Sequence, residues 1–210
     1  MASMEKLTKV SHPLVEHSLT ILRNKNTTTT EFRRHASIIS KILLVEATKQ
    51  LKVIPEPIET PLAPMEGKKL QEEVVVVPVL RAGLAMLFAI QDFLPAMLVG
   101  FMGLERDEKT AQAREYYQKL PKLFASHQVI VLDPMLATGG SLDETVAVLK
   151  EKGARQITLV CIVAAREGVD RIQKRYPDVF IVTAAIDDHL NAQKFIVPGL
   201  GDFGDRYFGT

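Results

Sequence analysis

The chain has 210 residues, 47% of them hydrophobic, and balances 26 basic against 25 acidic side chains for a formal net charge of +1. That length supports one well-buried domain, and the near-neutral balance argues against general nucleic-acid binding, which needs a basic face. A single cysteine excludes an intrachain disulfide framework, and no signal-type apolar core or membrane-length apolar run is present, so a soluble, cytoplasmic protein is expected.

From Ser11 to Gln50 the pattern is helical. His12-Pro13 precedes Leu14, Val15, Leu19, Ile21 and Leu22. A polar break from Asn24 to Thr30 separates these from Phe32, Ala36, Ile39, Leu43 and Ala47, spaced three and four apart as on one helix face. Thr30 suits the N-cap of this second helix, with Arg33 and Arg34 on its exposed side. The proline-rich stretch from Pro55 to Pro64 predicts an irregular or edge segment. Val74–Val77 is a short apolar strand limited by Pro78, followed by a helix from Gly83 to Leu94 that Pro95 stops. A strand over roughly Ala96 to Leu104 leads into the charged run Glu105 to Gln118, too polar for a core and expected to project as a loop or hairpin.

Beyond it come a strand (Val129–Leu132), a helix (Leu142–Lys152), a strand (Gln156–Ala165), a helix (Glu167–Arg175) and a strand (Val179–Ile186). Cys161 lies within the apolar run of the second of these strands and reads as a small hydrophobe. Alternating strands and helices at this spacing predict an α/β fold with a mainly parallel sheet covered on both faces. Ligands of such sheets bind at the carboxyl ends of strands. The loops after Val79, Leu132 and Ile186 are therefore the candidates.

Asp133 stands at a strand end, ahead of Pro134, Met135, Leu136, Ala137, Thr138, Gly139, Gly140 and Ser141. An acid there suits sugar hydroxyls. The small-residue turn can aim N–H groups and hydroxyls at one point, at the positive end of the next helix, which is a phosphate cradle. The turn is neither of the common Gly-rich nucleotide motifs. Arg81, between a strand and a helix start, can meet a diphosphate in bidentate fashion, with Ala82 and Gly83 leaving room for an anion. Arg106, Asp107, Glu108, Lys109 and Thr110 form either a solvated face or a mobile arm that folds over an anionic substrate.

The stretch Phe195–Thr210 combines a proline, aspartates and four glycines with aromatic residues. The glycines alone would fray; the aromatics predict packing. A rigid loop of this kind offers amides and carbonyls to the edge of a flat polar ring, or simply clamps the terminus. The five histidines show no metal-ligand spacing beyond the His12/His17 pair and read as structural or exposed. Asp187 and Asp188 end a strand, with ordinary turn roles or contact to a cation as the two readings.

Three of these loops together resemble the uracil phosphoribosyltransferases, nearly end to end. His12-Pro13-Leu14-Val15 and Glu46-Ala47-Thr48 are similar to the family's opening, and Pro78–Leu84 to its diphosphate loop. Asp133–Ser141 resembles its phosphoribosyl diphosphate (PRPP) motif, and Pro198–Asp202 with Gly204-Asp205 and Phe208–Thr210 its uracil-binding end.

The resemblance implies a type I phosphoribosyltransferase fold over one domain, residues 1–210, with N-terminal helices and a C-terminal base-binding segment. It implies that Arg81 and Arg106 contact PRPP, that Ala137–Ser141 hold its 5-phosphate within the motif Asp133–Ser141, and that Asp133 serves the ribose. Ile196 and the backbone of Gly201, Asp202 and Phe203 would bind uracil, with Asp202 also facing Mg²⁺ through water; Arg81 and Asp202 are the expected catalytic residues. The implied reaction gives UMP and diphosphate in pyrimidine salvage, in a homodimer or larger homo-oligomer that GTP activates in some members. Alternatives are a regulator on the same fold that binds RNA or a nucleotide, or a transferase for another base. Two positions depart from the family: Glu105 stands where tyrosine is frequent, and Phe203 where alanine is.

Overall fold

The computed structural model describes residues 6–106 and 113–210. In chain order its elements are β1 (Leu7–Lys9), α1 (Pro13–Arg23), α2 (Thr29–Ala47), β2 (Val53–Glu59), β3 (Pro64–Leu70), β4 (Val74–Leu80), α3 (Gly83–Ile90), β5 (Leu98–Val99), β6 (Phe101–Arg106) and β7 (Ala113–Lys119). There follow β8 (Gln128–Leu132), β9 (Met135–Leu136), α4 (Gly140–Glu151), β10 (Gln156–Ala165), α5 (Arg166–Arg175), β11 (Phe180–Asp187), β12 (His189–Leu190), β13 (Ile196–Val197) and α6 (Phe203–Phe208).

The main sheet has the order β1-β11-β10-β8-β4-β6-β7, parallel except for the antiparallel β6–β7 pair. Its central strands are apolar without a break because both faces are covered. Val74, Val76, Ile130 and Leu132 point into the core beneath α1, α2 and α3. Val75, Val77, Val129 and Val131 point the other way, to α4 and α5. Each such buried side chain contributes about 1.5–3 kcal/mol relative to exposure. Cys161 is fully buried in β10, as its apolar neighbours predict.

Several local expectations are corrected. The N-cap of α2 is Thr28, whose hydroxyl accepts from the Glu31 N–H at 3.4 Å; Thr30 lies inside the first turn. In a run of four threonines, the one placed three residues before a glutamate has the capping-box spacing. Pro78 does not end its strand, since β4 continues to Leu80 with Pro78 in register with Leu132. On the other side β4 changes partner here, pairing through Val76 with β5 and from Val79 with β6, so the missing N–H falls at a gap in the ladder. α3 stops at Ile90, ahead of Pro95, and the strand after it divides into β5 and β6 around Gly100. The proline-rich stretch, by contrast, is an edge segment as expected: it runs through β2 and the turn of an antiparallel β2–β3 hairpin, a separate two-stranded sheet where prolines cost little.

The charged run emerges as the β6–β7 hairpin; Asp107 to Thr110 lie outside the described residues. The C-terminal segment is packed. Phe203 is buried edge-on against Phe32, ring centroids 5.2 Å apart, and Tyr207 stacks on its other side at 5.8 Å. Arg206 donates to the carbonyls of Leu22, Leu200 (2.7 Å) and Asn24 (2.7 Å), which ties the tail to the end of α1.

Candidate active site

Two cavities open at the carboxyl edge of the sheet. The smaller, about 90 Å³, is lined by Asp133 and by Met135 through Leu142. Strand β8 delivers Asp133, and after the break at Asp133-Pro134 β9 resumes parallel pairing with β10, carrying the chain on past the sheet edge. Pro134 lies buried below, its carbonyl accepting from Ile162 and Val163 at 3.0 Å each. The turn closes through Gly139, whose φ of 77° lies in the left-handed region that favours glycine. Gly139 is also the N-cap residue of α4 and brings no side chain to cap it. The first-turn amides of a twelve-residue helix are thereby left to an external anion. The Thr138 hydroxyl sits beside them and accepts from the Gly140 N–H at a long 3.4 Å, which leaves the Ser141 and Leu142 amides for the anion.

Asp133 is half-buried by its own surface yet closely surrounded by protein. Burial pushes its carboxyl up to about 7, partly opposed by the N–H of Met135 at 3.3 Å. A carboxyl held near neutrality and next to an anion cradle is ready to ionise when hydroxyl donors or a cation arrive.

The larger cavity, about 400 Å³, has Ile196, Gly201, Asp202 and Phe203 along one wall. These are the residues expected for the base. Since the Phe203 ring is spent in the packing against Phe32 and Tyr207, it is mainly backbone that this residue presents to the cavity. Asp202 caps α6, its Oδ1 accepting from the Asp205 N–H at 2.9 Å, and is exposed. Met135 and Ala137 line both cavities, which therefore adjoin at these two residues.

The base-side loop is held from behind. Asp187, at the end of β11, receives Arg23 in bidentate fashion at 2.7 and 2.6 Å and the Gly199 N–H at 2.8 Å; Arg23 also donates to the Gly199 carbonyl at 2.8 Å. Asp187 thus has a structural role. The peptide Val197–Pro198 within this loop is cis.

Arg81 is exposed at the end of β4, after a cis peptide from Leu80 and next to Ala82, which lines the larger cavity. Arg106 ends β6. Sequence reasoning missed Gln193 and Lys194, which with Phe195 line the larger cavity from the turn between β12 and β13. One signal existed: a polar turn, Asn191 to Lys194, just ahead of the apolar Phe195-Ile196-Val197. The φ of 67° at Lys194 had none.

A parallel sheet that joins an uncapped helix start to a backbone-lined cavity along one edge is the architecture of the type I phosphoribosyltransferases. The profile of the uracil phosphoribosyltransferase family matches residues 9–210. Uracil phosphoribosyltransferase from Campylobacter concisus is 46% identical over 207 residues, 99% of this chain and 100% of that one. The Clostridium perfringens enzyme of the same name is 47% identical over 208 residues, with 99% and 100% covered. The solved AQ2163 protein of Aquifex aeolicus superposes with a TM-score of 0.92 at 34% identity, covering 97% of this chain and 98% of that one. The chain belongs to the uracil phosphoribosyltransferase family.

The raised Asp133 pKa sets a pH dependence of stability. The folded chain holds the extra proton between the ordinary carboxylate value near ~4 and about 7, so stability is greatest at the acid end and falls as pH rises through about 7. Asp133→Asn removes this fall. Thermal melts of both proteins from pH 5 to 8 will show the wild type losing stability relative to the variant; parallel curves would contradict the assignment.

Proposed function

We propose that this chain transfers the 5-phosphoribosyl group of PRPP to N1 of uracil, giving UMP and diphosphate. The observation that carries the reading is that the two cavities adjoin at Met135 and Ala137, which suits a ribose with its phosphate in one and a flat base in the other. Ala137–Ser141 hold the 5-phosphate, and Asp133 as carboxylate accepts from ribose hydroxyls. Ile196 and the backbone of Gly201–Phe203 meet the amide and carbonyl edge of uracil, which matches a pocket built from N–H and C=O groups.

Chemistry here is positioning plus electrostatics. The C1–diphosphate bond breaks as the N1–C1 bond forms on the opposite face and the uracil N1 proton passes to solvent, so charge builds on the departing diphosphate while the sugar becomes oxocarbenium-like. Arg81 and Arg106 lie on the loops that would hold this diphosphate. No group of three or more His, Cys, Asp or Glu gathers as a metal cage among the described residues. That donor set fits a magnesium ion carried by the substrate phosphates and touched through water by Asp202, whose Oδ1 is already engaged in capping. When bound, Mg²⁺ would neutralise part of the leaving-group charge.

Loss of one charge-assisted hydrogen bond of about 1.5–3 kcal/mol corresponds to roughly ten- to a hundred-fold in rate. Arg81→Ala is expected to fold, keep uracil selectivity and lose at least that factor in kcat/KM for PRPP. The direct assay is UMP formation from uracil, PRPP and magnesium, with cytosine, hypoxanthine and orotate in parallel. Turnover of uracil alone supports the reading. Turnover of another base would overturn the substrate, and PRPP binding without turnover would favour a regulator.

The β2–β3 hairpin supports a homo-oligomer. A lone two-stranded hairpin is marginal in water, and this one exposes Val53 (50%), Ile58 (45%), Met65 (51%) and Leu70 (46%). A second copy of this chain is the proposed cover. Sedimentation should give a dimer or larger species, with Ile58→Glu together with Met65→Glu shifting it toward monomer; a monomeric wild type would contradict this.

A further inference from the structure

The phosphate cradle contains no basic residue of its own: Asp133 and Met135 through Leu142 line it, and the sole charged side chain among them is an acid. Backbone amides and a helix terminus supply only partial positive charge. Yet a full guanidinium lies against the cradle from a neighbouring helix. Arg171 sits on α5, one turn beyond Gly168. A Cβ on Gly168 would lie 2.4 Å from the Ala137 carbonyl oxygen, so glycine at this position is what lets α5 approach the cradle so closely.

The Arg171 side chain then passes beside the Gly139–Gly140 turn. A Cβ on Gly139 would lie 3.3 Å from Arg171 Cδ, and one on Gly140 would lie 4.0 Å from Arg171 Nη1 and 3.6 Å from Thr138 Oγ1. The free edge of the guanidinium and the Thr138 hydroxyl therefore flank the same point at the open start of α4.

This guanidinium is oriented from behind. Its Nε and Nη2 both donate to Asp143 Oδ2, at 3.0 and 2.6 Å, and Nη1 makes no hydrogen bond among the described residues. Asp143 is buried in α4 and also accepts from Arg175 Nη1 at 2.7 and 2.8 Å. Burial raises the Asp143 pKa, but hydrogen bonds from Arg171, Tyr176 and Arg175 outweigh it and hold the carboxyl below its ordinary value. Two arginines against one carboxylate leave a net positive charge at the cradle wall.

We propose that Arg171 is a further PRPP-binding residue, whose Nη1 edge donates a charge-assisted hydrogen bond to the 5-phosphate. This rests on reading the cradle as the 5-phosphate site. Asp143 orders the fork in advance, so little side-chain freedom is lost when the phosphate arrives. Arg175 shares the same carboxylate but stands a further turn along α5, away from the turn that Gly168 brings close.

The test separates the two ends of PRPP. Affinities for ribose 5-phosphate and for diphosphate, with PRPP kinetics, are measured on the wild type, Arg171→Met, Arg171→Lys and Arg175→Met. Arg171→Met should weaken ribose 5-phosphate by about 10- to 100-fold, the span of one charge-assisted bond, and leave diphosphate within about two-fold. It should raise the KM for PRPP with kcat little changed. Arg171→Lys, which cannot serve Asp143 and the phosphate with one fork, should fall between and serves alone if the Met variant does not fold. Arg175→Met should stay near wild type. Unchanged ribose 5-phosphate affinity in the folded Arg171 variants overturns the proposal, as does an equal loss in Arg175→Met, which would mean bracing only. A wild type that fails to bind ribose 5-phosphate would overturn the cradle assignment itself.

Discussion

The base side of this molecule depends on the bidentate pair between Arg23 and Asp187. It joins the last residue of α1, the last residue of β11 and the loop at Gly199, which are distant in sequence. Asp187 is itself in register with Ala165 at the end of β10, so the loop is fixed to the same sheet edge that carries the cradle. A buried ion pair is weak evidence of net stability, since desolvation offsets much of the attraction. Its value lies in what its loss would cost: an unpaired carboxylate at 6% exposure, about 3–5 kcal/mol. The consequence is geometric, because Gly199 lies between Ile196 and Gly201, which line the cavity, and the pair holds this loop from outside.

The phosphate side repeats the device. There Asp143, buried on α4, orients Arg171 beside the Gly139–Gly140 turn. The two ends differ in what they offer. On the proposed function, one would offer amides and carbonyls to a flat ring, and the other an uncapped helix start and a guanidinium to an anion. Met135 and Ala137 line both cavities, and Asp133 lines the smaller one with a carboxyl that burial pushes up to about 7. The Phe203 ring packs against Phe32, inside the core, rather than filling the pocket.

The parts of this arrangement that lie in one continuous stretch were legible in the sequence. The apolar strand ending in Asp133, with the glycine turn after it, carries its own chemistry, and the β10 strand from Gln156 to Ala165 announces burial on both faces. The resemblance in the tail located Ile196 and Gly201–Phe203. What was hidden is what the fold alone assembles. Arg23 and Arg171 look like surface arginines at helix positions, and only the approach of α1 to β11 and of α5 to α4 gives them partners. Pro78 was read as a strand end because local rules cannot see that the neighbouring ladder changes from β5 to β6 beside it. Thr28 competed with three identical neighbours, and only its distance from Glu31 favoured it.

On the proposed function one ligand spans both cavities across Met135 and Ala137, and a crystal structure with UMP bound is the decisive measurement. The phosphate is expected on the first-turn amides of α4 near Arg171, the ribose hydroxyls within hydrogen-bonding distance of Asp133, and the pyrimidine edge against the Ile196 and Gly201–Phe203 backbone. A nucleotide with its phosphate outside the cradle, or its base against side chains elsewhere on the sheet edge, would contradict it.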